Sequence, residues 1–340
     1  MSSNLPSYLT ISTEINSDLS KAIETLNPDK IVVLVDENTK KYCFPHLHVS
    51  VDAQIEIQSG EQYKTLETCI KIWTQLTAIG CSRKSLLINL GGGVIGDMGG
   101  FAASTYKRGM PFINIPTTLL SQVDASIGGK LGVDFEGLKN HIGVFQNPVC
   151  VIINTAFLKT LPERELKSGF AEIIKHALIR DAEQWEYLNR HSFEKINWNE
   201  IIPKSISIKS KVVQEDPFEA DARKILNYGH TIGHALESHF LNSDTPLLHG
   251  EAIALGMILE NEIAATVGLL SQGESAEINE FIRSVYNLNL QLPNYEMLRS
   301  HLLQDKKNDA QGIRFSLLKK IGACAHDVLV EETVLKNILK

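Results

Sequence analysis

The chain has 340 residues, of which 43% are hydrophobic and 21% charged, the balance of a globular protein large enough for two domains. Its formal net charge of -7 argues against non-specific nucleic-acid binding, and its 5 scattered cysteines without a CxxC pair argue against a disulfide framework or a thiolate metal site. Because the first residues lack a secretion signal and the apolar run 252–259 is too short to span a bilayer, we expect a cytoplasmic protein.

Short β-branched runs alternate with amphipathic segments up to about residue 160. The near-continuous apolar runs Ile31–Val35, Ser85–Leu90 and Phe112–Ile115 predict buried strands of a parallel sheet that is covered on both faces. Between the first two, Glu61–Ile79 carries apolar residues at helical spacing and stops at Gly80, a residue typical of helix C-termini.

Strand signals largely vanish after residue 162. Four segments with helical spacing follow: Lys167–Arg180, Ile201–Val213, Arg223–Leu241 and Glu251–Val267. We therefore predict an α/β protein with a Rossmann-like nucleotide-binding domain at residues 1–161 and an all-helical domain at residues 162–340.

A glycine-rich turn directly follows the second predicted strand. Gly91, Gly93 and Gly96 fit the GxGxxG pattern, in which the missing side chains let backbone N–H groups approach a pyrophosphate at a helix N-terminus. The acidic residue expected about 20 residues further on is absent. Asp36 and Asn38, just past the first predicted strand, are placed to bind the ribose instead.

Basic residues recur beside glycine, asparagine or histidine. Each one taken singly favours an ordinary solvated side chain, but together they predict a local cationic pocket for an anionic substrate in an otherwise acidic protein. They are Arg108, Lys130, Lys139, Lys175, Lys209, Arg223, Lys306 and Lys307.

The segment 223–237 holds a pair of histidines at helical spacing. His230, His234 and Glu237 share one face of the predicted helix, and imidazoles with a carboxylate are ligands that zinc prefers. In a chain with 11 histidines this pattern is equally compatible with satisfied core or surface histidines.

Glu172, Lys175 and His176 also share a helical face. A Glu/Lys pair three residues apart is usually a weak surface salt bridge, which is what this spacing alone predicts. The apolar residues around the pair leave open a second possibility, in which both charges point into a crevice.

Taken together, these motifs closely resemble the 3-dehydroquinate synthase family of the sugar phosphate cyclases. The matching segments run in order along nearly the whole chain: Ser59–Lys64, Gly91–Asp97, Tyr106–Gly109, Pro116–Lys130, Leu138–Asn140, Thr160–Pro162, Gly169–His176, Arg223–Glu237, His249–Glu251 and Asp305–Lys307. Two positions depart from the family pattern, Asp221 in place of glycine and Leu131 in place of a smaller or β-branched residue, and they affect loop geometry rather than chemistry.

The resemblance implies a single divalent metal ion, zinc or cobalt, bound by Glu172, His230 and His249. His234 then neighbours the substrate and the cofactor, and Glu237 has a structural role. Only half of the histidine pair would bind the metal.

The resemblance also implies an active site in a cleft between an NAD-binding domain and a metal- and substrate-binding domain. The expected NAD contacts are Asp36, Asn38, Gly60, Glu61, Lys64, Gly92, Gly93, Val94, Gly96, Asp97, Thr117, Thr118, Lys130, Lys139 and Thr160. The expected substrate and catalytic residues are Asp124, Lys130, Lys139, Asn140, Lys175, Lys209, Arg223, Asn227, His234 and Lys306. Arg108 is expected to reach the substrate phosphate of a partner subunit, which implies a homodimer.

The implied reaction converts 3-deoxy-D-arabino-heptulosonate 7-phosphate to 3-dehydroquinate and inorganic phosphate in the shikimate pathway. It proceeds by transient NAD-mediated oxidation, phosphate elimination, reduction, ring opening and intramolecular aldol closure. Three alternatives remain: a valiolone- or inosose-forming sugar phosphate cyclase, a metal-dependent polyol or alcohol dehydrogenase, and an inactive NAD-binding scaffold.

Overall fold

The computed structural model describes residues 5–136, 138–241, 243–288, 290–303 and 313–340. The chain divides into two compact units, Met1–Pro162 and Glu163–Lys340, whereas we expected the division after Leu161. Within the described residues, no helix is both long enough and apolar enough to cross a membrane.

The first unit is an α/β domain in which strands and helices alternate. Its strands are β1 (Leu9–Ile11), β2 (Ile31–Asp36), β3 (Ala53–Ile57), β4 (Leu86–Gly91), β5 (Phe112–Pro116), β6 (Lys130–Phe135), β7 (Leu138–Phe145) and β8 (Cys150–Ile153). Its helices are α1 (Ile15–Leu26), α2 (Glu37–Tyr42), α3 (Leu66–Ile79) and α4 (Gly93–Thr105).

Six strands form one sheet in the order β1-β8-β5-β4-β2-β3, and every neighbouring pair is parallel. Separate apolar clusters cover the sheet on both faces, as the continuous apolar runs predict. Strands β6 and β7 form an antiparallel hairpin outside this sheet. The predicted parallel sheet is confirmed.

The carboxyl ends of β2, β4 and β5 mark the edge where a ligand is expected. Strand β2 is followed in the chain by β3 on one side of it, but the next strand, β4, pairs on its other side. Such a reversal of strand order opens a crevice at the carboxyl ends of the two strands, here at Asp36 and Gly91.

Helix α3 is shorter than the predicted Glu61–Ile79. The Thr65 side chain caps its N-terminus by accepting a hydrogen bond from the N–H of Thr68, and Glu61–Tyr63 forms a separate 3₁₀ turn. At the other end, Gly80 has φ of 77° and donates its N–H to the carbonyls of Leu76 and Thr77, as expected for a C-terminal glycine.

The second unit is mostly helical. Its helices are α5 (Glu163–Arg180), α6 (Ala182–Arg190), α7 (Trp198–Glu215), α8 (His230–Phe240), α9 (His249–Thr266), α10 (Gln272–Tyr286), α11 (Tyr295–Leu303) and α12 (Glu332–Ile338). Among its described residues, it departs from the expected all-helical domain in the antiparallel hairpin of β9 (Ile313–Lys320) and β10 (Ala323–Val330).

Helix α9 is the core of this unit. Its residues are apolar nearly all round, and it packs against α5, α8 and α10. Two glycines allow close approach of its neighbours. A Cβ on Gly250 would lie 1.9 Å from the carbonyl oxygen of Ser168 in α5, and one on Gly256 would lie 2.0 Å from that of Gly229, just before α8.

The predicted helix Arg223–Leu241 is two elements. Ala222–Asn227 forms a 3₁₀ helix, and Gly229, with φ of 79°, turns the chain before α8 begins at His230. The break places His230 in the first turn of a helix whose N-terminus is buried.

Candidate functional site

Two imidazoles of the second unit converge on the buried carboxylate of Glu172. Glu172 lies in the middle of α5 and has no exposed surface. Its Oε1 is 3.5 Å from Nε2 of His230, the first residue of α8, and 3.7 Å from Nε2 of His249, the first residue of α9. Three different helices therefore supply these groups.

The other nitrogen of each imidazole faces an oxygen acceptor. Nδ1 of His230 lies 3.1 Å from the carbonyl oxygen of Tyr228, and Nδ1 of His249 lies 3.4 Å from Oε2 of Glu237. When a neutral ring carries its proton on Nδ1 and donates it to these acceptors, Nε2 is left to bind a metal ion beside Glu172. Both rings are thus oriented in the same sense.

The spacing of these atoms fits a divalent metal ion. Zinc bonds of about 2.1 Å at tetrahedral angles place ligand atoms about 3.4 Å apart. The measured 3.5 Å and 3.7 Å are close to that separation. One carboxylate and two neutral imidazoles also form a donor set that zinc and cobalt accept.

His234 belongs to the same cluster but is exposed. Its ring centroid lies 5.1 Å from that of His230 and 5.7 Å from that of His249, and one nitrogen from each of the three rings lies within 4.8 Å of the others. Around His230 and His249, the described residues of the second unit therefore offer two overlapping sets of three ligands. One combines Glu172 with His230 and His249, and the other consists of the three histidines.

The imidazoles of His230 and His249 differ in pKa. For His230, burial and the nearby ammonium of Lys175 hold the pKa well below its ordinary value, so this ring is neutral. Burial also opposes a charge on His249, but the carboxylates of Glu172 and Glu237 outweigh it and raise its pKa to about 10. The two carboxylates thus stabilise a positive charge between them, and a divalent cation would supply that charge in place of the proton.

The Glu172–Lys175 pair is not a surface salt bridge. The Lys175 ammonium contacts Oε2 of Glu172, and their side chains are only 2% and 0% exposed. The alternative prediction, that the pair points inward, is the one the structure supports. His176, one residue further on, is fully buried with Nδ1 2.7 Å from the hydroxyl oxygen of Ser205, a contact within the helical core.

A buried carboxylate on α9 holds the N-terminus of α8. Glu260 has no exposed surface and accepts hydrogen bonds from the N–H groups of Gly229, at 2.6 Å, and Ile232, at 3.1 Å. These are donors that a helix N-terminus leaves without an internal partner. No sequence motif predicted this role for Glu260, although a glutamate within the apolar stretch of α9 is a signal for it.

The N-terminus of α9 is fixed to α5 by several contacts. The Ser168 hydroxyl accepts the N–H of Gly250 at 3.0 Å, and Arg164 donates two hydrogen bonds of 2.7 Å to the carboxylate of Glu251. Glu251 also accepts the N–H of Leu248 at 2.8 Å. These contacts set the position of His249 relative to Glu172.

The remaining predicted substrate residues of this unit lie on α7 and the segment before α8. Lys209 is buried, and so is Arg223, whose guanidinium donates to the carbonyl of Pro217 at 2.7 Å. Asn227 donates to Oε1 of Glu219 at 2.7 Å. Lys306 lies outside the described residues, as does Lys307.

The glycine-rich turn lies at the carboxyl end of β4. Gly92 precedes the first residue of α4, and a Cβ on it would meet only the side chain of Thr118, with the methyl carbon 3.0 Å away. The N–H of Thr117 donates to the carbonyl of Gly91 at 3.0 Å, which ties the end of β5 to this turn. The predicted contacts Gly93, Val94 and Gly96 follow in the first turn of α4.

Asp36 and Asn38 lie at the carboxyl end of β2, the neighbouring strand. Oδ1 of Asp36 accepts the N–H of Thr39 at 2.7 Å and caps α2, while the Asn38 amide donates to the Ser59 hydroxyl at 3.2 Å. Gly60 follows with φ of 114°. Thr160, elsewhere in the unit, is the exposed last residue of a 3₁₀ helix.

A buried lysine connects three predicted ligand-binding segments of this unit. The Lys64 ammonium donates to Oδ2 of Asp97 and to Oδ1 of Asn140, both at 2.6 Å, and Glu61 lies 3.9 Å away. Burial raises the pKa of Asp97, and Lys64 only partly offsets it. Burial would lower the pKa of Lys64, but the charge of Asp97 and its neighbours raises it.

Other predicted residues of the first unit occupy exposed or half-buried positions. Lys139 is half-buried on β7, with Nζ 3.9 Å from Oε1 of Glu61, and Lys130 is the exposed first residue of β6. Asp124 is half-buried in the single helical turn Ser121–Ala125. Arg108 is exposed and has φ of 68°, an uncommon conformation that often accompanies a functional constraint.

Two solved structures share this fold over nearly the whole chain. One is ValA, the 2-epi-5-epi-valiolone synthase of Streptomyces hygroscopicus with NAD+ and Zn2+ bound, at a TM-score of 0.87 and 26% identity, covering 100% of this chain and 97% of that one. The other is 2-deoxy-scyllo-inosose synthase complexed with carbaglucose-6-phosphate, NAD+ and Co2+, at a TM-score of 0.84 and 26% identity, covering 97% and 95%. The fold is that of the sugar phosphate cyclases.

Sequence comparison shows which family of sugar phosphate cyclases the chain matches. The family models for the N-terminal and C-terminal parts of 3-dehydroquinate synthase match residues 54–168 and 169–308. The 3-dehydroquinate synthase of Parabacteroides distasonis is 39% identical over 335 residues, which is 96% of this chain and 94% of that protein. The chain belongs to the 3-dehydroquinate synthase family.

Proposed function

We propose that this chain is the enzyme that converts 3-deoxy-D-arabino-heptulosonate 7-phosphate to 3-dehydroquinate and inorganic phosphate. The observation that carries the proposal is the Glu172, His230 and His249 cluster, with the buried Lys175 ammonium against it, in a chain that is 39% identical to a 3-dehydroquinate synthase over 96% of its length. The reaction makes the chain a carbon–oxygen lyase acting on a phosphate ester.

Glu172, His230 and His249 are the proposed metal ligands. We prefer this set to the three histidines because the half-buried imidazoles of His230 and His249 turn Nε2 toward Glu172 and Nδ1 toward an oxygen acceptor, whereas His234 is exposed. A bound zinc or cobalt ion supplies a Lewis acid that lowers the pKa of a substrate hydroxyl. His234 is then left to neighbour substrate and cofactor.

The proposed NAD contacts cluster at the carboxyl ends of β2, β4 and β5. The residues fit the cofactor for two reasons. The reversal of strand order at this edge of the sheet opens a crevice. In addition, Gly92 has no side chain that would lie between the N-terminus of α4 and a pyrophosphate. Bound NAD+ supplies a reversible hydride acceptor. Asp36 and Asn38 hold the ribose, and Lys64 holds Asp97 in place beside the turn by a hydrogen bond of 2.6 Å.

The buried cations of the second unit fit an anionic substrate. Lys175, Lys209 and Arg223 are each at most 6% exposed. The phosphate and the carboxylate of the substrate would add charge-assisted hydrogen bonds to the contacts that these cations already make. Lys175 holds the hydroxyl that reacts, since its ammonium already contacts the proposed metal ligand Glu172.

Residues of the first unit complete the proposed substrate contacts. They are Asp124, Lys130, Lys139 and Asn140. Asn140 is held in place by Lys64 and by its own N–H, which donates to Oδ1 of Asp134 at 2.7 Å. We also propose a homodimer in which Arg108, exposed and in a strained conformation, reaches the phosphate at the partner's site.

One assay tests the proposed reaction. The purified protein is incubated with the heptulosonate phosphate, a catalytic amount of NAD+ and Zn2+ or Co2+, and both inorganic phosphate and 3-dehydroquinate are followed. We expect many turnovers per NAD+ and loss of activity after treatment with a chelator. No phosphate release by the metal-loaded protein contradicts the proposal.

The same assay separates the alternatives. Another sugar phosphate cyclase would release phosphate from a sugar without a carboxylate, such as glucose 6-phosphate, in preference to the heptulosonate. A polyol dehydrogenase would accumulate NADH in proportion to the substrate oxidised. An inactive scaffold would bind NAD+ and release nothing.

A further inference from the structure

We propose that Glu237 is a positioning residue of the metal centre: its carboxylate accepts the Nδ1–H of His249 and thereby directs Nε2 of that ring at the metal ion. The inference rests on the proposed function for the identity of the metal ligands. It gives a role to a side chain whose sequence pattern predicts only a metal ligand or a structural residue.

The two side chains come from different helices. Glu237 lies on α8 and His249 begins α9, with Oε2 of Glu237 3.4 Å from Nδ1 of His249. The opposite nitrogen, Nε2, lies 3.7 Å from Oε1 of Glu172. The His249 imidazole therefore lies between two carboxylates, one at each ring nitrogen. Of these two carboxylates, Glu172 is the one that also lies near Nε2 of His230.

The burial of Glu237 points to the same role. Glu237 is 5% exposed, and the two residues before it on α8, Ala235 and Leu236, belong to the apolar core. A carboxylate loses hydration in such a place, and this cost must be offset by a charged or strongly donating partner. His249 is such a partner, because its Nδ1–H donates to the carboxylate of Glu237.

The two imidazoles of the centre differ in their second partner. His230 faces a neutral acceptor, the carbonyl oxygen of Tyr228, whereas His249 faces a carboxylate. A carboxylate makes the imidazole a stronger donor to a metal and fixes the ring tautomer, and removing such a partner commonly lowers metal affinity by about 10- to 100-fold. Glu237 thus makes His249 the stronger of the two nitrogen ligands.

The test compares Glu237→Gln with a matched control on α9, Glu262→Gln. Glutamine keeps the volume of Glu237 but removes its charge. The Glu262 side chain is 42% exposed, and its Oε1 lies 3.5 Å from Nη2 of Arg283. The control therefore removes the charge of an exposed carboxylate rather than a buried one. For each protein, Co2+ affinity is measured by competition with a chromophoric chelator, and unfolding in urea is measured with and without Co2+.

We expect Glu237→Gln to bind Co2+ about 10- to 100-fold more weakly than wild type, with a changed visible absorption spectrum of the bound cobalt. The control should bind as wild type does. Unfolding of the metal-free Glu237→Gln protein should change much less than the stabilisation that Co2+ adds. Equal Co2+ affinity in both variants overturns the inference, whereas failure of wild type to bind Co2+ overturns the proposed metal centre itself.

A second measurement needs no variant to fold. In the zinc-loaded wild-type protein labelled with ¹⁵N-histidine, long-range ¹H–¹⁵N correlations report which nitrogen of each ring carries a proton. We expect His249 to be protonated at Nδ1 and metal-bound at Nε2. The reverse arrangement contradicts the inference.

Discussion

Each unit of the molecule buries a lysine against a carboxylate, but the two pairs are built differently. In the first unit, Lys64 joins Asp97 and Asn140, which come from separate segments of the chain and meet at the edge of a sheet. In the second, Lys175 contacts Glu172 less than one turn away on the same helix, and neighbouring helices bury both. The first site therefore depends on how a helix and a strand are placed around Lys64, whereas the second depends on how closely its helices pack.

The largest effect on stability is expected where α9 packs most closely against α5. A Cβ on Gly250 would lie 1.9 Å from the backbone oxygen of Ser168, so Gly250→Ala must push α9 away from α5. We expect a loss of at least about 3 kcal/mol in the free energy of unfolding, or no folded protein. Gly273→Ala is the control, because a Cβ there meets nothing within 4 Å. Equal stability of the two variants in urea would show that the helices yield.

Lys175→Ala tests the chemistry of the same region. We expect turnover to fall by about 100-fold or more, since the proposed contact of an ammonium with the reacting hydroxyl is lost. The metal-free variant should also lose about 3 kcal/mol, because Glu172 is left buried without its cation, and metal should restore part of this. Lys204→Ala, which removes a half-exposed pair with Glu200, is the control. Wild-type turnover in Lys175→Ala contradicts the site.

Glu260→Gln is expected to have a smaller effect. The amide can still accept one hydrogen bond from Gly229 or Ile232, but the negative charge at the N-terminus of α8 is lost. We expect a loss of about 1–2 kcal/mol, measured by urea unfolding, together with a modest fall in Co2+ affinity because His230 begins that helix. Unchanged stability would show that the cap is replaceable.

The smallest effect on stability is expected in the first unit. A Cβ on Gly92 would lie 3.0 Å from the methyl carbon of Thr118 and 3.5 Å from its hydroxyl oxygen, and this side chain can rotate out of its path. Gly92→Ala should therefore cost less than about 1 kcal/mol but weaken NAD+ binding about tenfold or more, since the methyl group occupies the approach to the turn. Fluorescence titration with NAD+ measures this, and unaltered affinity would place the pyrophosphate elsewhere.

Local patterns predicted the elements well where the signal is itself local. The apolar runs for β2, β4 and β5, and the stop of α3 at Gly80, are confirmed within a residue or two. The predicted helix 223–241 was wrong at its start, because Gly229 turns the chain to let α8 and α9 approach. The hairpin Ile313–Val330 was missed, since the pattern of one short hairpin is weak beside long helical segments.

By itself, the sequence determined the parallel sheet, the glycine-rich turn and the family, because hydrophobic period, turn residues and ordered motifs are properties of the chain alone. Helical spacing, however, predicted that His230 and His234 bind a metal together. It could not predict a role for His249, which begins another helix. Only the tertiary structure decided that Glu172 and Lys175 are buried, that two imidazoles turn Nε2 toward Glu172, and that Glu237 meets His249. Burial and contacts between helices arise from packing, which no spacing along one helix records.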